Sequence, residues 1–439
     1  SSIKSTSLII GLSLFGASLL AQTTTVSPYS RFGLGESYPL SNARFMGMGQ
    51  ASLAMNDGLN INFASPASYH QLSLTTFDVG FEYSLIQQEQ SNPPLSINNS
   101  RSGMRNISVG VPIYDWWGSA LSIQPYSFKG YDIRTSRTLS SDPSVEINDQ
   151  FVGEGGLNRI IWGNSFLAAK GLSFGVNASY IFGSLRESQI VNFSDFTFVD
   201  TRSDRESLIS GLTYDFGARY EYPLNENHYL ATAISLNNGS RLSSRETAFQ
   251  YTIDGIRARD TLVGGSEIEG EYQLASDFKA GISIGKKNEN ALQAAWAVNA
   301  DFTQYRGSEF SAPTAGNQLT DAYSINVGGM LTPRYTFKSL ERGTNLFNNI
   351  EYRLGGFYEK LPFELASNEL YNYGITFGLG IPVRQRSLAP GEQKVNTVNL
   401  GLVAGRRGSL ENNLIRENYL SIFLSVTFND RWFIDYKYR

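Results

Sequence analysis

The stretch LSIFLSVTF, residues 420–428, divides its side chains between two faces of different polarity. Alternate residues of an extended strand point to opposite sides. One side of this stretch is unbroken apolar and consists of Leu420, Ile422, Leu424, Val426 and Phe428. The other side carries Ser421, Phe423, Ser425 and Thr427. The pattern predicts a strand whose apolar face meets either a protein core or lipid.

The same alternation recurs along the chain, for example in TFDVGFEYSL, LSFGVNASY, LTYDFGARYEY, FKAGISI, LQAAWAVNADF and YGITFGLGI. The charged residues of these stretches fall on the polar face, and they include Glu82, Asp215, Arg219, Lys279 and Asp301. A Lys or Arg that faces lipid at the bilayer midplane costs about 2–4 kcal/mol, so a lipid-facing surface excludes charge. A soluble sandwich also excludes charge from its core, but its solvent face usually carries many long charged side chains. The pattern favours a transmembrane barrel over an exported β-sandwich or propeller.

The number and spacing of the alternating segments support the same fold. Connections after even-numbered segments are mostly short, such as LNENH and KKNEN, and those after odd-numbered segments are mostly longer, such as QSNPPLSINNSRS, TSRTLSSDPSVEIND and QYTIDGIRARDTLVGGS. Two connections, TPRYTFKSLERGTNLFN and RQRSLAPGEQK, are long where the rule predicts short ones. The predicted segments are residues 74–88, 104–113, 118–133, 150–169, 172–192, 206–222, 228–250, 268–286, 291–305, 320–332, 348–360, 368–382, 395–406 and 414–428.

Bacterial outer-membrane barrels have an even number of antiparallel strands, short periplasmic turns and longer outer loops. Their sheet closes, because an open edge would leave backbone groups unpaired in hydrocarbon. We therefore predict an all-β, transmembrane antiparallel β-barrel of about 14 strands in the outer membrane of a Gram-negative cell. Outer-membrane lipid is then predicted to surround the barrel. Both termini are predicted to be periplasmic.

The overall composition excludes several classes of function. The chain has 439 residues, only 17% of them charged, and a formal net charge of -4, so no basic surface for nucleic acid is predicted. It has no cysteine. Disulfides, thiolate metal sites and cysteine nucleophiles are therefore excluded.

The two ends of the chain are predicted to lie outside the barrel wall. Residues 1–21 are typical of a signal peptide, with Lys4 before the apolar stretch LIIGLSLFGASLL. We predict an N-terminal periplasmic or plug segment at residues 22–73, the barrel at 74–428 and a periplasmic tail at 429–439. The closing FNDRWFIDYKYR sets aromatic residues beside basic ones, which is typical of the membrane interface. A contact with a periplasmic partner is the alternative for that tail.

The segment before the barrel carries a family resemblance. NARFMGMGQASLAMNDGLNINFASPASY resembles the N-terminal hatch of the long-chain fatty acid transporter family, which includes the shuttle barrels of type IX secretion. Downstream, YRLGGFYEK, YNYGITFGLGIPV, VNLGLVAGRRGSL and ENYLSIFLSVTFNDRWF look like later strands of such barrels. Ser65 stands where the family has Asn. The residues that match the hatch motif are Gly47, Gly49, Asp57, Ser65, Pro66 and Ala67.

The resemblance implies a fourteen-stranded barrel whose lumen holds this segment as a plug. Some members of the family admit hydrophobic molecules through a lateral opening at a kinked strand. Gly328–Gly329 and Gly355–Gly356 are candidates for such a kink, and glycine packing beneath the plug is the alternative. A hydrophobic ligand would meet the plug at Phe45, Met48, Leu53 and Phe63, for which plain packing of the plug against the wall is again the alternative.

Residues able to carry out catalysis are sparse. His70 and His228 are the two histidines, and neither lies beside a Ser and an acid in a recognisable arrangement. The stretch SSDPSVEIND could bind calcium weakly through Asp142, Glu146 and Asp149, although a solvated outer loop is the simpler interpretation. No phosphate loop or Cys/His ligand set is present. The sequence therefore predicts neither an enzyme nor a cofactor or metal site.

Two functions remain after these exclusions. The first is passive passage of hydrophobic or amphipathic small molecules, such as fatty acids or lipids, past the N-terminal hatch. The second is a non-transporting accessory or docking barrel in a protein secretion or outer-membrane assembly complex, with protein partners in the envelope. A general diffusion porin would require a charged lumen without a plug. The small neutral inner faces and the hatch argue against that function.

Overall fold

The computed structural model describes residues 27–430 except for 256, 288–293, 314–318, 334–346, 348, 366 and 384–395. The predicted signal peptide and residues 431–439 of the predicted tail lie outside the described residues. Within these ranges, one short α-helix, α1 (Ala43–Met46), and 3₁₀ turns at Pro28–Arg31, Pro66–Gln71, Gly307–Glu309 and Glu411–Asn413 accompany the strands. Among the described residues, no helix is long and apolar enough to cross a membrane.

Most of the described chain is extended, and every pairing between its strands is antiparallel. The strands are β1 (Glu36–Ser37), β2 (Thr75–Gln90), β3 (Leu95–Tyr114), β4 (Trp117–Leu139), β5 (Asp142–Ala169), β6 (Leu172–Phe193), β7 (Thr201–Pro223), β8 (His228–Asn237), β9 (Arg241–Asp254), β10 (Arg257–Gln273), β11 (Asp277–Lys287), β12 (Ala294–Tyr305), β13 (Ala322–Leu331), β14 (Glu351–Leu365), β15 (Asn368–Val383), β16 (Asn396–Gly408) and β17 (Arg416–Asp430).

These strands close into a barrel because β17 pairs with β2, with Phe428 opposite Phe77. Strands β8 and β9 both pair with β7 on one side. On the other side, β8 pairs with β11 and β9 pairs with β10. They therefore form one interrupted wall strand, and β10 with β11 forms the next. Counted in this way, the wall has the fourteen strands that the sequence predicts.

The barrel turns its apolar faces outward. In LSIFLSVTF, residues 420–428, Leu420 and Leu424 are each 42% exposed, whereas Ser421 and Ser425 are buried inside. Asp78 and Glu82 on β2 and Asn177 on β6 are likewise buried in the lumen. A surface that is apolar outside and polar inside is what a barrel in lipid requires.

Several stretches predicted as loops are strand instead. We call the end of the barrel that holds Thr75 and Asp430 the base, and the opposite end the rim. At the rim, only residues 91–94 separate β2 from β3, and only 140–141 separate β4 from β5. Strand β5 has 28 residues, whereas about 9–11 suffice to cross a bilayer. The strands therefore continue beyond the bilayer, where both faces meet water and the alternation that marks a lipid-facing strand fades.

The segment before the wall, residues 27–74, lies inside the barrel and runs from rim to base. Near the rim, the Ser27 amide donates to the Gly130 carbonyl of β4 at 2.6 Å, and the Tyr29 hydroxyl donates to the Ile415 carbonyl. Toward the base, the Tyr69 hydroxyl donates to Asn177 Oδ1 at 2.6 Å. The first described residue is thus close to the rim, and the periplasmic location of the termini stays a prediction.

Candidate functional site

The base half of the lumen is filled by backbone in direct contact with backbone. A Cβ placed on Gly47 would lie 2.7 Å from the Cα of Gly378, and one placed on Gly328 would lie 2.0 Å from the Met48 carbonyl oxygen. On the other side, a Cβ on Gly175 would lie 2.0 Å from the Pro66 carbonyl oxygen. Only glycine allows such approaches. The small residues on the inner faces of the strands therefore make room for the N-terminal segment.

Buried ion pairs fasten the segment to the wall. Arg44 Nε lies 2.8 Å from Asp57 Oδ2, and Arg44 Nη1 lies 2.7 Å from the Glu351 carboxylate. Arg353 on β14 holds the same Glu351 through its Nε at 2.5 Å and donates to Asn399 Oδ1 at 2.7 Å. The four charges balance, so burying them together avoids leaving an isolated charge in the lumen.

Several of the hatch-motif residues hold the segment in its fold or attach it to the wall. The Gly49 amide donates to Thr376 Oγ1 at 2.7 Å, and Gly49 has a φ of 65°, in the region that favours glycine. Asp57 Oδ1 accepts from the Leu59 amide at 3.0 Å as well as holding Arg44. Ser65 precedes the 3₁₀ turn that begins at Pro66, and its side chain caps no amide. The Ala67 carbonyl accepts from Ser173 Oγ at 3.0 Å.

Three of the four predicted ligand-contacting residues come together. Phe45, Met48 and Leu53 belong to one buried cluster with wall residues such as Tyr229 and Met330. Phe63 lies in a separate cluster with Ile61, Tyr69, Leu72, Ala120 and Ile161. Of the four, only Leu53 lines the large cavity of the lumen. Binding by these residues stays a prediction, and the close packing of the other three is that of a protein core.

A cavity of about 520 Å³ lies above the packed base half. Part of its lining is apolar and includes Phe32, Leu34, Tyr126, Leu274, Ala275, Phe310, Leu319 and Phe363. The charged part of its lining is balanced between acids and bases, and consists of Glu36, Glu82, Arg101, Arg105, Arg159, Asp215, Asp277, Lys279, Asp301, Glu359, Lys360 and Arg407. A cavity with both kinds of lining suits an amphipathic molecule better than a pure hydrocarbon.

Arg159 differs from most of these charged groups. It is 7% exposed, and its Nη2 donates to the Tyr38 carbonyl at 3.0 Å. Its Nε has no hydrogen-bond partner, and no carboxylate lies within 4.0 Å of it, among the residues that the structure describes. Its guanidinium lies 5.5 Å from the Tyr126 ring centroid. A buried guanidinium that has no carboxylate partner among the described residues can pair with the anionic group of a ligand.

Next to the cavity, the wall separates between β3 and β4. Their ladder runs from Tyr114↔Trp117 near the base to Ile107↔Ile123 and stops there. Toward the rim, β3 continues to Leu95 paired only with β2, while β4 continues to Leu139 paired with β5. The sequence gives no sign of this separation, because both strands keep their own alternation and each stays paired on its other side.

The two glycine pairs considered for a lateral opening lie elsewhere, in unbroken ladders. Gly328 and Gly329 pair in register with Asn299 and Val298, and Gly328 also pairs with Gly355. A Cβ on Gly355 would lie 2.5 Å from the Gly49 amide nitrogen. Gly328 and Gly355 therefore pack beneath the N-terminal segment, the alternative interpretation from the sequence.

Neither histidine belongs to a catalytic arrangement in the part of the chain that the structure describes. His70 Nδ1 lies 3.4 Å from Ser165 Oγ, and His228 Nδ1 lies 2.9 Å from Asn225 Oδ1. Burial and the nearby Arg219 guanidinium lower the pKa of His70 to about 4. Within the described residues, no group of three or more His, Asp or Glu side chains could hold a metal ion.

A closed fourteen-stranded wall with an internal N-terminal segment can be compared with known proteins. A family model described as BamG matches residues 3–439 of the chain. The chain belongs to the BamG family. No curated protein matches it in sequence.

Several solved structures share the fold of this BamG-family chain. The Ralstonia pickettii toluene transporter TbuX has 11% identity and a TM-score of 0.54, with 89% of this chain and 98% of TbuX covered. A Pseudomonas aeruginosa FadL homologue has 14% identity and a TM-score of 0.53, with 90% of this chain and 99% of the homologue covered. The CymD monoaromatic hydrocarbon channel has 14% identity and a TM-score of 0.50, with 91% of this chain and 99% of CymD covered. The BamG-family chain therefore has the β-barrel fold of these proteins, the fold that its sequence predicts.

Proposed function

We propose that this BamG-family barrel gives passive passage to amphipathic molecules that have an apolar chain and an anionic head group. The proposal depends on one observation, a cavity of mixed lining that adjoins a separation in the barrel wall. Residues 22–73 act in it as the lumenal segment, 74–428 as the barrel and 429–439 as a periplasmic tail. In this proposal the base faces the periplasm, so the C-terminal end of the wall lies there, whereas Ser27 lies near the rim.

The two parts of the cavity suit the two parts of such a molecule. The apolar chain would pack against Leu34, Leu274 and Phe310, which belong to one buried cluster. The anionic head would accept hydrogen bonds from Arg159, whose Nε has no partner among the described residues. A hydrogen bond to a charged group contributes about 1.5–3 kcal/mol, enough to orient the ligand. Fatty acids have this chemistry.

In this proposal the ligand leaves through the barrel wall into the membrane rather than through the base. Movement through the base would have to separate the backbone contacts at Gly47 and Gly328 and the ion pairs of Arg44. The β3–β4 separation lies above those contacts and faces lipid at Ile107 and Ile123, which are both exposed. An apolar chain that leaves the cavity there would enter the membrane without crossing water.

Ligand binding by the purified protein tests this function. Titration with a fluorescent dodecanoate analogue in mild detergent should show saturable binding. The variant Arg159→Met should weaken that binding by roughly 10–100-fold, because it removes the charge-assisted hydrogen bonds. Arg186→Met is the matched control, since Arg186 is half exposed and its partners are surface carboxylates. Absence of saturable binding, or equal loss in both variants, would reject the proposal.

A second candidate function is that of a docking barrel in a protein secretion or outer-membrane assembly complex. The observation that favours it is the sheet beyond the bilayer, where apolar side chains are exposed to water. Phe196 is 97% exposed, and Leu262 is 53% exposed. Exposed apolar patches away from lipid commonly mark protein interfaces. Protein partners that co-purify in fixed stoichiometry, and are lost in a Phe196→Ser, Leu262→Ser double variant, would support this function.

A further inference from the structure

Strand β10 is the last strand of the sheet that continues beyond the bilayer. From Ser266 to Gln273 it pairs with β9 in an unbroken register. Among the described residues, its other side has one backbone partner, Ser311, which exchanges two hydrogen bonds with Gln273 at 2.9 and 3.1 Å. The next wall strand, β12, does not reach this height, because it ends at Tyr305, opposite Asp277. In the part of the chain that the structure describes, β10 is therefore an edge strand.

The bonds of Gln273 show which backbone groups of β10 point away from β9. In an antiparallel ladder, residues two apart in a strand point their amides and carbonyls to the same side. The amides and carbonyls of Glu271, Glu269 and Glu267 therefore point to the same side as those of Gln273. We call these backbone groups of the three glutamates the β10 edge. No strand or loop of the described chain pairs with them.

The pairing that Ser311 begins does not continue along this edge. An antiparallel continuation would place Pro313 opposite Glu271, and proline has no amide to donate. Pro313 lies instead on the lumenal face of the strand, where a Cβ placed on Gly270 would be 2.7 Å from the Pro313 Cβ. The β10 edge therefore keeps the capacity to pair with a strand of another chain.

The β10 edge lies outside the hydrocarbon of the membrane. The outward side chains of β9 and β10 include Arg241, Arg245, Glu269 and Glu271, and all four are exposed. Arg241 Nη1 lies 3.5 Å from the Glu271 carboxylate. A surface that faces lipid excludes charges of this kind. A strand that pairs with this edge would therefore approach it from water.

The side chains of β10 determine which kind of strand fits. Its outward face presents Glu267, Glu269 and Glu271, and no Lys or Arg lies between Ser266 and Gln273. On its other face Ile268 is 47% exposed. Residues directly opposite each other on neighbouring strands are stabilised by opposite charges and destabilised by like charges. A second copy of β10 would place glutamate opposite glutamate, so pairing between two copies is disfavoured.

We propose that the β10 edge binds an extended segment of a partner protein in which basic and apolar residues alternate. The segment adds to the sheet as an antiparallel strand, with its basic residues opposite Glu267, Glu269 and Glu271 and an apolar residue beside Ile268. This inference rests on the second candidate function, the docking barrel. It names the part of the chain that docks and the chemistry of the segment that it binds.

A synthetic peptide that alternates lysine and valine, as long as residues 266–272 and labelled with fluorescein, tests the edge on the purified full chain in a non-ionic detergent. Fluorescence anisotropy measures its Kd. The peptide should bind roughly tenfold more tightly than a peptide that alternates glutamate and valine, because each cross-strand charge pair contributes about 0.2–1 kcal/mol. A lysine–valine peptide methylated at the backbone nitrogens of its lysines keeps the charge but loses the amides that face β10. Equal binding of the methylated peptide would overturn strand addition.

A matched pair of variants tests the edge from the side of the protein. Glu269→Pro removes one amide of the β10 edge and leaves the amides that face β9, and Glu269→Thr removes the same charge but keeps the amide. The proline variant should bind the lysine–valine peptide roughly tenfold more weakly than the threonine variant, because the peptide loses a backbone hydrogen bond. Circular dichroism and heat-modifiable gel mobility check that both barrels have formed. Equal Kd values in the two folded variants would overturn the proposal.

Hydrogen exchange at single-residue resolution locates the peptide on the original chain. Binding should slow exchange of the Glu267, Glu269 and Glu271 amides by about tenfold, since these amides gain acceptors. The amides of Ile268 and Gly270, which face β9, should change by less than about twofold. Binding without any slowing at the three glutamates would show that the peptide occupies another surface and would overturn the proposal.

Co-purification separates this inference from the docking function on which it rests. If the lysine–valine peptide binds at the β10 edge but no protein co-purifies with the full chain in fixed stoichiometry, the edge stands and the docking function fails. If a partner co-purifies equally with Glu269→Pro and Glu269→Thr, the docking function stands and the proposed role of the β10 edge fails.

Discussion

Arg44 and Asp57 form a salt bridge of 2.8 Å inside the N-terminal segment, with both side chains almost completely buried in the lumen. The same arginine holds Glu351 of the wall at 2.7 Å. One side chain therefore both folds the segment on itself and attaches it to β14. Its removal would leave the carboxylates of Asp57 and Glu351 buried near each other without the cation that joins them.

Arg44→Met should lower the free energy of unfolding by about 3–5 kcal/mol, because breaking a buried ion pair on one side leaves uncompensated charge. Chemical denaturation in detergent, followed by tryptophan fluorescence, measures the change. Arg134→Met is the control, because Arg134 is 74% exposed and pairs with Asp132 at the surface. Such a surface pair is worth at most about 1 kcal/mol. Equal effects of the two variants would contradict the network.

Gly47→Ala should push the N-terminal segment off the wall, because the new Cβ would lie 2.7 Å from the Cα of Gly378. Backbone on both sides cannot yield as a flexible side chain would. We expect a higher ion conductance in planar bilayers and a lower melting temperature. Gly103→Ala is the matched control, since a Cβ at Gly103 would meet nothing within 4 Å. An unchanged conductance in Gly47→Ala would mean that this contact does not seal the lumen.

Deletion of residues 22–70 should raise ion conductance sharply if these residues close the lumen. The wall should still form, because β17 pairs with β2 without the segment, although the deletion also removes β1 from the edge of β4. Circular dichroism and heat-modifiable gel mobility check that the barrel has formed. A folded barrel with the conductance of the full chain would reject the role of the segment as a plug.

Acid should weaken the docking of the segment at the base through His70. Burial and Arg219 lower the pKa of His70 from 6.5 to about 4, so the neutral imidazole is the form that fits the folded protein. Since the folded-state pKa is the lower one, the contribution to stability is complete above pH 6.5 and is lost as the pH falls toward 4. We expect a loss of roughly 2–3 kcal/mol between pH 7 and 4.

The His70→Gln variant isolates this effect from other groups that titrate in the same range. The difference in unfolding free energy between the original chain and the variant should shrink steadily from pH 7 to pH 4. Parallel pH profiles for the two proteins would show that His70 does not carry the dependence.

The wall of this barrel could be predicted from local sequence because lipid acts on each strand separately. Leu420, Leu424 and their equivalents had to be apolar whatever their neighbours, and Glu82 and Asp215 had to point inward. The strand count followed from the same rule. The outer loops were predicted too long, because strands beyond the bilayer meet water on both faces and lose the alternation.

The tertiary structure decided how the lumen is filled and where the wall separates. Arg44 and Glu351 form an ion pair although 307 residues separate them in sequence. The backbones of Gly47 and Gly378 are in contact because neither residue has a side chain. The end of the β3–β4 ladder at Ile107, and its replacement by Glu36 and Ser37, leave no mark on the pattern of either strand. Polarity toward lipid is a property of single residues, whereas pairing and contact belong to residues that only the closed barrel brings together.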